Sequence, residues 1–117
     1  MNTRNKGNIG EALAKKYLKK LGYKIICENY HASKQAEIDI IAKDKDFLVF
    51  VEVKLRYNTL QGYGREAVTK QKQQNMIYGA KHYLTTVVKK EVPVRFDVIE
   101  ITFTDEIPEI EHIQNAF

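Results

Sequence analysis

Ile38-Asp39-Ile40-Ile41-Ala42-Lys43-Asp44-Lys45-Asp46-Phe47-Leu48-Val49-Phe50-Val51-Glu52-Val53-Lys54 has the pattern of two strands joined by a polar turn. Glu37–Ala42 has the β-branched, apolar content of a strand. Phe47–Val51 is a continuous apolar run, the pattern of a strand covered on both faces. Between them Lys43-Asp44-Lys45-Asp46 is polar and turn-forming, so the two strands should pair as an antiparallel hairpin. Outward from the hairpin, Asn8–Leu21 reads as an amphipathic helix, with Ile9, Leu13, Tyr17 and Leu21 four apart and Ala14 and Leu18 widening the stripe. Gly22 stops it. Tyr23–Tyr30 reads as a strand and His31–Gln35 as a loop. After the hairpin, Tyr57–Gly64 reads as a loop placed to face a substrate. A second helix is expected from near Thr69, its cap, to about Leu84, with Met76, Ile77, Ala80 and Leu84 inward. Pro93 opens a strand over Val94–Phe103. Ile107, Ile110 and Ile113, three apart, suggest a short helix or an irregular clamp in the tail. The element order is then α-β-β-β-α-β, an α/β chain with a mixed central sheet flanked by helices.

Composition narrows the classes. The 117 residues suit one domain, 1–117, and 44% hydrophobic content supports one core. No apolar run reaches the ~18 to 20 residues that would span a bilayer. Met1–Lys6 is polar, with no signal-peptide core behind it, so no membrane association and a cytoplasmic location are expected. The one cysteine, Cys27, has no partner for a disulfide or a thiolate zinc site and reads as a buried strand residue. The three histidines show no ligand spacing. The net charge of +4 is unevenly spread: Arg4, Lys6, Lys15, Lys16, Lys19, Lys20 and Lys24 stand against Glu11 alone in the first 24 residues, while the tail carries Asp105, Glu106, Glu109 and Glu111. That asymmetry suits a polyanionic partner, and equally lysines that solvate a helix face.

Charged residues inside the hairpin are the functional signal. Side chains two apart on a strand share a face, so Glu52 and Lys54 project together. The hairpin register can bring Asp39 opposite Glu52. Two carboxylates in an apolar setting repel one another, and a divalent cation relieves that cost. Magnesium takes oxygen ligands, commonly one or two carboxylates, and the Val53 carbonyl offers another. Lys54 beside the metal is placed to orient an attacking water or to offset charge on a phosphorus centre. The alternative is a plain Glu52–Lys54 or Asp39–Lys54 ion pair at a sheet edge. Arg56, Arg65, Lys70, Lys72 and Gln73 are candidates for phosphate contacts. Tyr57 and Tyr63 flank the loop and suit either base stacking or packing. Glu37 shares the face of Asp39. Glu11, by itself, pairs as readily with Lys15 one helical turn on.

An ordered set of segments resembles a known family. It runs Gly7-x-x-Gly10-Glu11-x-x-Ala14, Gly22-Tyr23, Glu37-Ile38-Asp39-Ile40-Ile41-Ala42, Leu48-Val49-Phe50-Val51-Glu52-Val53-Lys54, Glu66-Ala67-Val68, Lys72-Gln73, Arg95-Phe96-Asp97-Val98 and His112-Ile113. The chain is similar to the uncharacterised UPF0102 (YraN-like) family nearly end to end. That resemblance implies a restriction-endonuclease-like fold with an Asp…Glu-x-Lys site, and a similarity to archaeal Holliday-junction resolvases. It also implies that Glu11, on the first helix, joins the metal site. Ala36 stands where the family usually has Gly, Leu55-Arg56 where it has Thr-Arg, and Lys70-Gln71 where Pro-Arg often occurs. The expectation is a Mg²⁺- or Mn²⁺-dependent endonuclease on DNA, branched or otherwise structured, with Asp39, Glu52, Lys54 and Glu11 catalytic and Asp39, Glu52, Val53 and Glu11 holding metal. A homodimer is compatible with two-strand cleavage. The alternatives are an inactive nucleic-acid-binding module of the same fold and a protein-interaction domain.

Overall fold

The structure is a computed structural model that describes residues 3–57, 68–104 and 107–117. Its elements are α1 (Thr3–Lys20), β1 (Lys24–His31), β2 (Glu37–Asp44), β3 (Phe47–Arg56), α2 (Lys70–Tyr83), β4 (Val94–Thr102) and β5 (Glu109–Ile113). The strands form one mixed sheet in the order β1-β2-β3-β4-β5. β1, β2 and β3 are antiparallel neighbours. β4 lies parallel to β3 in register from Leu48↔Val94 to Arg56↔Thr102, and β5 returns antiparallel to β4. The parallel pair needs a long crossover, which α2 supplies. No helix among the described residues is long and apolar enough to cross a membrane.

Each helix covers one face. Ala14 and Leu18 of α1 are fully buried against Ile40, Ala42, Val49, Val51, Ile99 and Ile101. Ala80 and Tyr83 of α2 pack on Ile38, Ile41, Leu48 and Phe50 on the opposite face. The alternation along β3 is therefore Val49, Val51 and Val53 toward α1, with Leu48, Phe50 and Glu52 toward α2. The continuous apolar run marks a central strand, as its composition requires, because Leu48 through Val51 are all buried. α1 ends in a Schellman-type cap: the Tyr23 N–H donates to Leu18 O and the Gly22 N–H to Lys19 O, with Gly22 at φ 94°. The Thr69 side chain caps α2 by accepting from the Lys72 N–H. α2 continues into a π-helical turn, Leu84–Val88, closed by Lys89 at φ 60°.

Several expectations are corrected. The element order is α-β-β-β-α-β-β, because the tail forms strand β5 in place of a helix or clamp. The three-residue spacing of its isoleucines hides a two-residue alternation whose second inward member is a histidine: Ile110 pairs with Ile101 and His112 with Ile99. On α1 the buried line runs through Ala14 and Leu18, while Ile9 and Leu21 are exposed. Helix α1 packs on β1, β3 and β4, and Ala14 and Leu18 are its residues fully buried there. Cys27 is half-buried, since β1 is an edge strand, and Ile77 faces outward.

Candidate functional site

The β2·β3 ladder runs from the tight turn, Asp44↔Phe47, to Ile40↔Val51 and stops. One step further the Val53 N–H, which would have continued it, donates instead to Asp39 Oδ2 at 2.8 Å. The strands part at this point, and the next β2 side chain, Ile38, turns to the α2 cluster. A carboxylate thus takes over a backbone position at the fork of the hairpin. The N–H and C=O of a strand residue point to the same edge, so the Val53 carbonyl faces the same gap.

Asp39 and Glu52 meet there on the same register step. Burial pushes Asp39 up to about 6; the Val53 N–H and the Lys72 charge oppose this, and Glu11 and Glu37 add to it. Burial likewise pushes Glu52 up to about 7; repulsion from Asp39 adds to it and Lys72 opposes it. Each carboxyl sits in the other's field, so the two titrate as a pair. The Lys72 Nζ stands 3.3 Å from Glu52 Oε2. That is long for a charge-assisted bond, which is usually about 2.7–2.9 Å. Glu52 Oε2 is shielded from solvent and has no well-formed hydrogen bond among the described residues. Buried oxygens are nearly always satisfied, so such an atom calls for an explanation.

The other candidates separate into three groups. Glu11 is half-buried on α1 and contributes charge at Asp39. Its alternative partner Lys15 reaches Glu28 on β1 instead, at 2.9 Å. Lys54 follows Glu52 on the same face of β3, half-buried, beside Glu100 in the β3·β4 register. Lys72 and Gln73 lie on the first turn of α2, where the Gln73 amide donates to Val68 O. Lys70 opens α2 and is exposed. Arg56 is not presented to a surface: its guanidinium is buried in an ion pair with Glu100. Tyr57 stacks on Phe103 at 5.9 Å between ring centroids. Arg65 and Tyr63 lie outside the described residues. Among those described, no three His, Cys, Asp or Glu side chains converge into a metal-holding group. The protein oxygens at the fork are therefore two carboxylates and a carbonyl, a number that suits Mg²⁺ or Mn²⁺ with water completing the shell.

A second polar cluster, which sequence patterning did not single out, lies at the other end of the sheet on the α1 face. Asp97 is fully buried and accepts from Arg95, from the Asn115 N–H and, at 2.7 Å, from His112 Nε2. Burial alone would raise its pKa; the hydrogen bonds from His112, Arg95 and Asn115, with the Arg95 charge, hold it below the ordinary value instead. Arg95 also reaches Asp44 and Tyr23. The cluster ties the tail to β4 and to the hairpin turn. Its sequence signals are Arg95 and Asp97 alternating with Phe96 and Val98 on a strand, and the presence of Arg95-Phe96-Asp97-Val98 and His112-Ile113 among the family-like segments.

With a hairpin, a crossover helix and a parallel partner strand framing a carboxylate pair, the chain falls in the class of α/β domains with an acidic site at the mouth of a mixed sheet. It belongs to the family described as Uncharacterised protein family UPF0102, whose model matches residues 10–101. It is 42% identical over 121 aligned residues to a UPF0102 protein of Acetivibrio thermocellus, covering 99% of this chain and 93% of that one. It is 44% identical to one from Clostridioides difficile over the full length of both, and 46% identical to one from Geotalea daltonii over 95% of this chain and 87% of that one.

Proposed function

We propose that this protein is a divalent-metal-dependent phosphodiesterase acting on DNA, of the restriction-endonuclease-like class. The supporting observation is the largely desolvated Asp39–Glu52 pair at the hairpin fork, with one carboxylate oxygen that has no well-formed hydrogen bond among the described residues. Removing two carboxylates from water is unfavourable, and nothing in core packing compensates for it. Such a pair is expected where a cation is to be held.

Asp39 and Glu52 would hold the metal with the Val53 carbonyl, and Glu11 on α1 would add its charge to that field. When bound, the metal supplies charge neutralisation at the scissile phosphate and a more acidic water. The Asp39 carboxylate is fixed by the Val53 N–H, so its free oxygen is already aimed before substrate arrives. Lys54 shares the face of Glu52 and is placed to orient the attacking water and to stabilise charge as it develops on the phosphate oxygens. Lys70, exposed at the start of α2, offers a contact to the phosphate backbone of the same substrate.

The experiment is incubation of purified protein with nicked, flapped and four-way DNA in Mg²⁺ or Mn²⁺. Metal-dependent cleavage that Asp39→Ala abolishes is expected. Absence of cleavage on all three substrates, or equal cleavage by Asp39→Ala, refutes the proposal.

A further inference from the structure

Lys72 is in a place that helix electrostatics disfavours. The first turn of α2 carries no acidic residue and opens Lys70-Gln71-Lys72. Cations at the positive end of a helix are unfavourable, whereas acids there are stabilising. The Thr69 cap fixes the Lys72 backbone in this turn by bonding its N–H. The side chain nevertheless turns to the hairpin fork and brings its ammonium to Glu52. There it is the cation that opposes the raised pKa of both carboxyls.

The neutralisation is incomplete. One ammonium faces two carboxylates, and at 3.3 Å its contact with Glu52 Oε2 is a long one. The lysine side chain is 35% exposed, so it is not locked in place. Its flexible stem can carry the ammonium outward without disturbing the helix. A divalent cation brings twice the charge and accepts oxygens from both residues.

We propose that Lys72 is the resident counter-ion of the Asp39–Glu52 pair, that a divalent cation displaces it from Glu52, and that the released ammonium then takes a phosphate oxygen of the nucleic acid. This rests on the metal-dependent reading above. It gives one residue two roles in sequence: it keeps the metal-free site folded, and it adds a phosphate contact only once the metal is in place. Metal binding and DNA binding are thereby coupled, each favouring the other.

Three measurements on the full chain test it. First, Mn²⁺ is titrated calorimetrically into metal-free protein. Lys72→Met should bind Mn²⁺ about five- to tenfold more tightly than wild type, since a competing cation is gone. Lys72→Arg should stay near wild type. Second, four-way DNA binding is measured with Ca²⁺ and with EDTA. Lys72→Met should weaken binding in Ca²⁺ and leave it unchanged in EDTA. Third, thermal midpoints are compared without metal: Lys72→Met should lower the midpoint in the wild-type background and not in Glu52→Gln. Mn²⁺ binding by Lys72→Met no tighter than wild type overturns displacement, and equal DNA losses with and without Ca²⁺ overturn the transfer to phosphate. Failure of both proteins to bind Mn²⁺ instead removes the metal-dependent reading and displacement with it. The counter-ion role is then decided by the third comparison, where equal losses in the two backgrounds overturn it.

Discussion

Glu52→Gln should make the metal-free protein more stable at neutral and alkaline pH. The substitution keeps the shape of the side chain and removes its charge. The folded carboxyl titrates at about 7 against an ordinary value of 4.5, so the folded protein binds that proton more tightly than the unfolded chain does. Stability is therefore undiminished below about pH 4.5 and falls as pH rises toward 7, where the carboxylate must ionise in its buried setting. At about 1.36 kcal/mol per pKa unit, the full penalty is on the order of 3 kcal/mol. Part of it is repulsion from Asp39, a cost the two carboxyls share because they titrate as a pair, so about 2 kcal/mol is the gain to expect. For a domain of this size that raises the thermal midpoint by roughly 5 to 10 °C. The assay is thermal unfolding followed by circular dichroism in EDTA, at about pH 8 and about pH 4.5. The gain should be present at the higher pH and nearly absent at the lower. Saturating Mn²⁺ should then narrow the gap by stabilising the wild type alone. An unchanged or lower midpoint for Glu52→Gln at pH 8 would mean that Glu52 contributes favourably to the fold, and would remove the argument for a destabilised, cation-seeking pair.

Asp97→Asn should destabilise the protein by about 3 kcal/mol, because the fully buried carboxylate that accepts from Arg95, His112 and the Asn115 N–H loses its charge; urea unfolding measures it. Since Asp97 titrates below its ordinary 3.8 in the fold, its contribution is complete above that pH and is lost as pH falls through the folded value. Acid unfolding of wild type should show this loss and Asp97→Asn should lack it. Thr69→Ala removes the cap on the Lys72 N–H and should cost about 1 kcal/mol, together with weaker placement of Lys72 that shows as a smaller stability loss on adding Lys72→Met. Lys54→Ala should keep Mn²⁺ binding while cleavage falls by about a hundredfold or more, a split that calorimetry and a DNA cleavage assay resolve side by side.

The sequence by itself determined the hairpin and, through it, the centre of the site. A two-residue turn between Asp44 and Phe47 fixes the register, and counting back from it sets Asp39 against Glu52. Period-two burial and the apolar run of β3 are local signals, written in neighbouring residues. The end of α1 and the start of α2 were legible for the same reason, since Gly22 and Thr69 act on backbone groups within a few positions, whereas α1 begins at Thr3, ahead of the Asn8 expected. Tertiary structure alone decided the rest. Arg56 reads as a surface arginine until parallel pairing sets β3 beside β4 and buries it with Glu100. The tail reads as a short helix or an irregular clamp until His112 finds Asp97, 15 residues earlier. Lys72 reads as one more basic residue until α2 packs across the sheet and lays it on Glu52. In each case the deciding partner is a charge that must be matched once water is excluded. Which charge that is depends on long-range packing, and no local pattern carries it.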